Sequence, residues 1–509
     1  MRPMSEGPTR ALHDRLLATL AASPKRDVAH FLPAARPFDV DSFERRILGA
    51  ERRLVRVGVA SGQSAAIPDS GQLVLLSCRN IDSCLVALAT LWKRGFVPIL
   101  ADADLSRDEL TQIVRAFRPG YCLLDRRADP EGWDTESAGD SLAGLHACFP
   151  ARRAPGGPPP PSGTAVVRLT SGSTGRPRGV LVTAEQLLAD ARGIARTVGY
   201  RPNDTLITAI PLTHAYGFTH VLLMLVLQGT RPVLLEQPLP SLFLEALSLP
   251  GPLVVPGTPY LFSLLLQAAG KKKFKGLRLS VSAGAPLPAD LSRAFKERTG
   301  VPIRTFYGAS ECGGIAYDRS REGVVPDGCV GTPLDGVHVN VVPQPGHEPG
   351  PGRVCVTSAA VALGYAADRS PDLGDSRFLT ADLGRFDEQG RLRLLGRNDR
   401  MINVGGRKVN PVEVETVLRE VPGVRQAVVF GAPDRNRGQA VCACVVAARG
   451  VTREAILGAC APRLAPFKVP RRIEFVDSVP VNARGKTEYR SLVSLVARPP
   501  AARPTLHRN

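Results

Sequence analysis

The sequence predicts an α/β protein, a large N-terminal domain of layered α/β sheets followed by a small α+β C-terminal domain. Two observations carry that expectation: short apolar runs alternate with amphipathic stretches early in the chain, and the pattern changes after Gly396. Residues 73–76 read as a buried strand, 81–92 as a helix and 97–100 as a second strand. Ser106 and Glu109 make a capping box that opens a helix to about residue 117, and residues 121–124 form a third strand. A β-α-β-α-β order of this kind implies parallel strands in a layered domain. Residues 154–163, APGGPPPPSG, read as a linker that delivers the chain to a strand at 165–169. Thr183 and Gln186 make a second capping box, and residues 303–306 a further strand.

Beyond Gly396, Asn410 caps a helix with Pro411 in its first position and Glu413 in its third. Residues 424–430 and 440–446 read as strands, 452–460 as a helix and 473–476 as a short strand. The expected division is an N-terminal extension (1–50), a large domain (51–396), a small domain (397–495) and a basic, disordered tail (496–509).

Composition narrows the function. The chain of 509 residues carries a net charge of +18, and residues 397–509 hold 20 Lys and Arg against 9 Asp and Glu. Such a field suits an anionic partner. Aromatics are only 5% and no basic stretch is interleaved with them, so no nucleic-acid partner is expected. The ten cysteines are scattered with no C-x-x-C, which predicts reduced thiols rather than disulfides or zinc. No apolar run approaches the ~20 residues of a membrane span; residues 221–227 give seven. Arg10, Asp14 and Arg15 interrupt the apolar residues of the N-terminus, so no secretory signal is read and a cytoplasmic location is expected.

The chemistry concentrates first in Leu169-Thr170-Ser171-Gly172-Ser173-Thr174-Gly175-Arg176-Pro177-Arg178-Gly179-Val180, which packs hydroxyls, glycines and cations together without a carboxylate. Glycines let backbone approach an anion, hydroxyls and N–H groups donate to phosphate oxygens, and arginines supply countercharge. It is not a Walker loop, and alone it reads equally as a mobile turn with solvated arginines. Further segments stand beside it: a turn with His214, Tyr216 and Phe218; the small-residue turn Ala283-Gly284-Ala285-Pro286; and Tyr307-Gly308 with Ser310 and Glu311 after a strand. In an open α/β sheet ligands bind beyond strand ends, and the lone Glu311 carboxylate could hold a Mg²⁺ that bridges phosphates. Asp382 could accept two ribose hydroxyls, Arg397 could help hold them, and Lys486 follows a glycine in a late loop. Each has a bland alternative as core histidine, simple turn or solvated charge.

Taken in order, these segments resemble the adenylate-forming superfamily of acyl- and aryl-CoA synthetases, adenylation domains of nonribosomal peptide synthetases and firefly-type luciferases. The likeness runs from about Leu73 to Leu492. It implies that the small C-terminal domain is mobile and that the substrates are ATP with Mg²⁺, a carboxylic acid and a thiol. By resemblance, Thr170, Ser171, Gly172, Ser173, Thr174, Gly175 and Arg178 grip the β- and γ-phosphates. Gly284, Ala285, Pro286, Tyr307 and Gly308 frame adenine. Ser310 and Glu311 meet the α-phosphate and Mg²⁺, while Asp382 and Arg397 hold the ribose. Asp399 matches the hinge, Lys486 the lysine that bridges carboxylate and α-phosphate, and Gly405, Gly406 and Lys408 the loop that lines the thiol tunnel. His214, Tyr216, Phe218, Tyr260, Ala283, Gly313 and Gly314 would shape the acyl pocket, with His214 also beside the reacting groups.

Two residues depart from the pattern: Arg178 and Asn403 stand where the family often has lysine. Amino-acid-activating members of that superfamily place an aspartate early in the turn after the phosphate loop to pair the substrate ammonium; here the corresponding stretch is Thr213-His214-Ala215-Tyr216, so the resemblance implies an acid without an α-amino group, fatty or aryl-aliphatic. The basic C-terminal region suits CoA, and equally the phosphopantetheine of a separate, acidic acyl carrier protein. A degenerate nucleotide-binding or basic interaction protein is the alternative of another class.

Overall fold

The computed structural model describes residues 8–497 apart from 23–26, 33–36, 61–70, 80, 126–129, 132, 136–144, 151–158, 172–176, 271–273, 321–322, 324–325, 327, 344–351, 367–368, 398–401, 410 and 481–488. The chain divides into two compact units, the second made mainly of residues 399–509.

Two sheets build the first unit. In the larger, of fourteen strands among the described residues, Arg231–Leu235, Thr205–Thr208, Leu253–Gly257, Leu277–Ser282 and Ile303–Ala309 lie side by side and parallel. The sheet then continues antiparallel through Gly313–Tyr317 and Cys329–Pro333. In the eight-stranded sheet Leu73–Ser77 sits between Val97–Ala101 and Tyr121–Leu124, parallel to both, and Thr164–Ser171 pairs parallel with Val97–Ala101. Both capping boxes form: Ser106 with Glu109, and Thr183 with Gln186.

Helices fill the space between these sheets. Asp82–Lys93 is buried at every position from 83 to 92. It shares one core with Val74, Leu76, Leu100 and Val166 of one sheet and Leu206, Leu234, Val254 and Leu279 of the other. A separate core covers the opposite face of the large sheet, where Ile207, Val233 and Val255 meet the helices Pro240–Ala246, Pro259–Ala269 and Ala289–Thr299. Strands covered on both faces have no polar side, which is why their sequences read as unbroken apolar runs.

The stretch 1–50 is not an appendage over its described part. Leu12, Leu16 and Leu20 recur every fourth residue along the helix Pro8–Ala21 and enter the same core, and Asp27–Leu32 adds a parallel strand beside Arg231–Leu235. That spacing is the apolar stripe of a packed helix.

Among the described residues the second unit holds a five-stranded sheet built on the hairpin of Val424–Asp434 with Gly438–Ala447. Helices Pro411–Arg419 and Arg453–Cys460 cover one face, and Tyr489–Ala497 brings Leu492 and Val496 to the other. All ten cysteines are free and buried, so burial rather than pairing accounts for them. No helix among the described residues is long and apolar enough to cross a membrane.

Candidate active site

Four predicted segments follow four neighbouring parallel strands. The turn with His214 comes after Thr205–Thr208, Tyr260 after Leu253–Gly257, the turn 283–286 after Leu277–Ser282, and Ser310 with Glu311 after Ile303–Ala309. Parallel strands present all their carboxyl ends at one edge, so segments distant in sequence become neighbours there.

The fourth segment is a hairpin. Ile303–Ala309 turns through Ser310, Glu311 and Cys312 into Gly313–Tyr317, with Gly308 opposite Gly314 and Ala309 opposite Gly313. Tyr307 donates its hydroxyl to Asp382 Oδ2 across 2.6 Å. Burial raises the Tyr307 phenol well above its ordinary value and the Asp382 charge raises it further, so it stays a donor. Thr380 Oγ1 in turn accepts from the Asp382 N–H at 3.0 Å. The strands Arg377–Phe386 and Leu392–Arg397 pair Asp382 with Arg397, so the two residues expected at the ribose share one rung.

Glu311 is held from two sides. Its backbone carbonyl accepts from Ala362 N at 2.8 Å, and its Oε1 accepts from the Tyr365 hydroxyl at 3.1 Å. Tyr365 belongs to a two-residue strand paired with Pro177–Thr183, the strand that leaves the predicted phosphate loop. The Arg178 guanidinium lies 3.8 Å over the Tyr365 ring centroid. Stacking of that kind needs the flat guanidinium, which a lysine lacks. Among the described residues no group of three His, Cys, Asp or Glu could hold a metal. An oxygen ligand such as the Glu311 carboxylate suits the chemistry of Mg²⁺, which commonly takes one or two carboxylates alongside phosphate oxygens and water.

A buried polar cluster lies beneath the hairpin. Arg168, two residues before Thr170, sends Nη2 to Thr219 Oγ1 at 3.1 Å. Asp190 accepts from Gly314 N at 2.9 Å. Burial raises the Asp190 pKa while Arg168, Gly314 and Thr219 oppose the shift, and burial likewise lowers that of Arg168. These groups were missed from sequence, although one arginine inside the apolar run 165–169 was a readable signal.

His214 is exposed and its Nδ1 accepts from Tyr216 N at 3.3 Å, while the Tyr216 hydroxyl donates to Val281 O at 2.8 Å. Phe218 does not join them at the predicted pocket. Two residues along a helix turn a side chain ~200° away, and its ring is fully buried, edge-on to Trp92 at 6.0 Å. Gly313 and Gly314 also leave less room than expected: a Cβ on Gly313 would meet the Asp190 carboxyl at 2.3 Å, and one on Gly314 would meet Leu334 at 2.6 Å. Their smallness serves close packing. Tyr260 and Ala285 are half-buried, Ala283 is buried, and Gly284 and Pro286 are exposed, with Gly284 at φ +85°.

In the second unit Gly405 and Gly406 form a two-residue hairpin loop with φ of +59° and +88°, which glycine adopts without strain. Asn403 Oδ1 accepts from Gly406 N at 3.0 Å, a contact that a lysine could not make. Lys408 is exposed on the returning strand. Gly172, Ser173, Thr174, Gly175, Asp399 and Lys486 lie outside the described residues, as do the side chains of Ser171 and Arg397.

Known proteins share both units. Residues 60–366 match the AMP-binding enzyme family and residues 413–486 match the AMP-binding enzyme C-terminal domain. The chain belongs to this family. It is 32% identical over 332 residues to a 2-succinylbenzoate–CoA ligase of Enterococcus faecalis, covering 63% of this chain and 67% of the relative. It is 28% identical over 471 residues to a 2-succinylbenzoate–CoA ligase of Bacillus cereus, covering 89% and 92%. Its fold matches a double mutant of o-succinylbenzoate CoA synthetase from Bacillus subtilis with a TM-score of 0.77, 22% identity and coverage of 94% and 98%. This family member is an AMP-forming acid–thiol ligase of the acyl-CoA synthetase type, an adenylate-forming enzyme.

Proposed function

We propose that the chain activates a fatty or aryl-aliphatic acid as its acyl-adenylate, releases pyrophosphate and passes the acyl group to CoA. The observation that carries the site assignment is the Tyr307–Asp382 hydrogen bond beside Glu311, at the edge where four strand-end segments converge. The relatives named 2-succinylbenzoate–CoA ligases favour the aryl-aliphatic member of that pair and CoA as acceptor.

A carboxylate attacking the α-phosphate brings anion against anion, so the site must neutralise charge on the phosphoryl oxygens and on departing pyrophosphate. Residues 170–175 with Arg178 would supply hydroxyl and N–H donors and one cation to the phosphates. Glu311, steadied by Tyr365, would hold Mg²⁺, which supplies countercharge across the phosphates when bound. Asp382 and Arg397 take the ribose, with Tyr307 fixing Asp382; Gly284, Ala285, Pro286 and Gly308 leave flat backbone for adenine. Lys486 would neutralise the acid–phosphate encounter. Asp399 is the hinge, and Gly405, Gly406 and Lys408 guide the thiol. His214 and Tyr216, with Tyr260 and Ala283, border the acid.

Pyrophosphate release across a panel of acids tests the reading. Aryl-aliphatic or fatty acids are expected to give the highest kcat/KM, and an amino acid or acetate as the best substrate would overturn it. Offering CoA and a carrier protein separately to preformed acyl-adenylate then decides the acceptor.

A further inference from the structure

Arg168 lies on the strand Thr164–Ser171, which enters the predicted phosphate loop, and Asp190 on the helix Ala184–Ile194, which begins where the strand leaving that loop ends. The loop is thus flanked in sequence by two charged residues that are only 4% and 6% exposed. Thr219, from the helical stretch after His214, joins them: its hydroxyl accepts from Arg168 Nη2 at 3.1 Å and donates to Asp190. Asp190 reaches on to the hairpin that carries Glu311. There its Oδ1 accepts from Gly314 N at 2.9 Å, and its carboxyl fills the place of a Cβ on Gly313. Residues far apart in sequence form one buried polar chain that ends three residues from Glu311.

Well-packed apolar residues would stabilise such a place as well or better, so stability alone does not account for the chain. An arginine keeps its proton in a protein, and burial therefore leaves Arg168 charged and in need of a countercharge. Burial lowers its pKa; Asp190 leads the groups whose charges oppose this, and Glu311 is among them. Two carboxylates thus share one cation. With Asp190 neutral, the guanidinium would act on Glu311 alone and weaken the pull of that carboxylate on a divalent cation. The hydrogen bond to Gly314 has a second effect. Together with the carboxyl packed on Gly313, it fixes one end of the turn through Ser310, Glu311 and Cys312.

We infer that Asp190 is a positioning residue for the adenylation step, anchoring the hairpin through Gly314 and neutralising Arg168 so that Glu311 keeps its full charge for Mg²⁺. The inference rests on the reading of Glu311 as the Mg²⁺ carboxylate. Its two parts can be removed one at a time, since asparagine keeps an acceptor for Gly314 N and loses the charge, whereas alanine loses both.

The test reads pyrophosphate release against Mg²⁺ concentration, with the best acid of the panel above, and amide hydrogen exchange of residues 308–316 in the enzyme without substrates. Asp190→Asn is expected to raise the Mg²⁺ concentration for half-maximal rate by about 10-fold, and Arg168→Met is expected not to raise it. The double variant Arg168→Met/Asp190→Asn, neutral at both positions and still able to accept from Gly314, should return close to the wild-type value. Arg168→Met/Asp190→Ala, neutral but without the acceptor, should exchange the 308–316 amides about 10-fold faster than that double variant and show a lower kcat. A Mg²⁺ requirement unchanged in Asp190→Asn overturns the inference, as do equal rises in Asp190→Asn and Arg168→Met, the mark of mere destabilisation. Should Asp190→Asn fail to fold, the two neutral double variants decide, and equal exchange with equal kcat overturns it. Glu311→Gln keeps the two readings apart. A Mg²⁺ dependence that Glu311→Gln does not alter refutes the reading of Glu311, whereas one altered there and untouched by Asp190→Asn refutes the role of Asp190 alone.

Discussion

The Arg178 guanidinium lies 3.8 Å over the Tyr365 ring, and the hydroxyl at the far end of that ring donates to Glu311. One side chain thus joins the strand leaving the phosphate loop to the carboxylate proposed for Mg²⁺. Removing the hydroxyl in Tyr365→Phe leaves Glu311 a hydrogen bond short, worth about 1.5–3 kcal/mol for a charged acceptor. The expected outcome is a drop of roughly 10-fold or more in kcat/KM for ATP, eased by raised Mg²⁺. Arg178→Lys keeps the charge and loses the stack, so a smaller loss in the same assay is expected.

Lys486→Ala should abolish acyl-adenylate formation yet still yield thioester from supplied acyl-adenylate. Both half-reactions are read separately, by pyrophosphate release and by thioester appearance. Unaltered adenylation would refute the assignment of Lys486.

Arg168 and Asp190 are buried charges whose neighbours are Thr219 and Gly314. Neutralising either alone, as Arg168→Met or Asp190→Asn, leaves the other charge less compensated and is expected to cost about 3 kcal/mol in urea unfolding. The double variant should lose clearly less than the two single losses added together. Strict additivity would show that the two charges do not support each other.

His220 makes stability depend on pH. Its pKa is near 6.5 when unfolded and about 3 when folded, so below pH 6.5 the unfolded chain takes up a proton that the folded chain refuses. Stability from this group is therefore fully present above pH 6.5 and falls as pH drops towards 3. Between pH 6.5 and 5 the loss is about 2 kcal/mol, and His220→Leu should remove that slope from unfolding curves measured at the two pH values.

Gly313 combines φ of +70° with an Asp190 carboxyl 2.3 Å from where a Cβ would stand. Gly313→Ala is expected to destabilise the first unit by about 2–4 kcal/mol, seen as earlier thermal unfolding.

Much of this was legible in the residues. Both capping boxes, the parallel strands around Leu73–Ser77 and the helix opened by Pro411 follow from local rules, because caps and apolar runs act over a few neighbouring positions. The site segments were legible as motifs. What escaped notice were partners joined only by the fold: Tyr365 with Glu311, and Arg168, Thr219, Asp190 and His220, which no short pattern connects. Phe218 lies apart from Tyr216 because residues 215–222 are helical, which swings alternate residues to opposite sides, and no local motif marks that winding. In the N-terminal stretch the charges of Arg10, Asp14 and Arg15 interleave with the stripe of Leu12, Leu16 and Leu20, so the apolar face is visible only at helical spacing.

The row of parallel strands also separates what can vary from what cannot. Positions proposed to border the acid hang mainly from the strands ending at Thr208 and Gly257, whereas the proposed adenine turn 284–286 follows the strand ending at Ser282, and Tyr307 and Glu311 belong to the next strand and its hairpin. Exchange of cassettes between relatives, confined to the loops after those first two strands and with His214 kept, is therefore expected to reprogramme which acid is accepted, while the turn and hairpin proposed for ATP are left untouched.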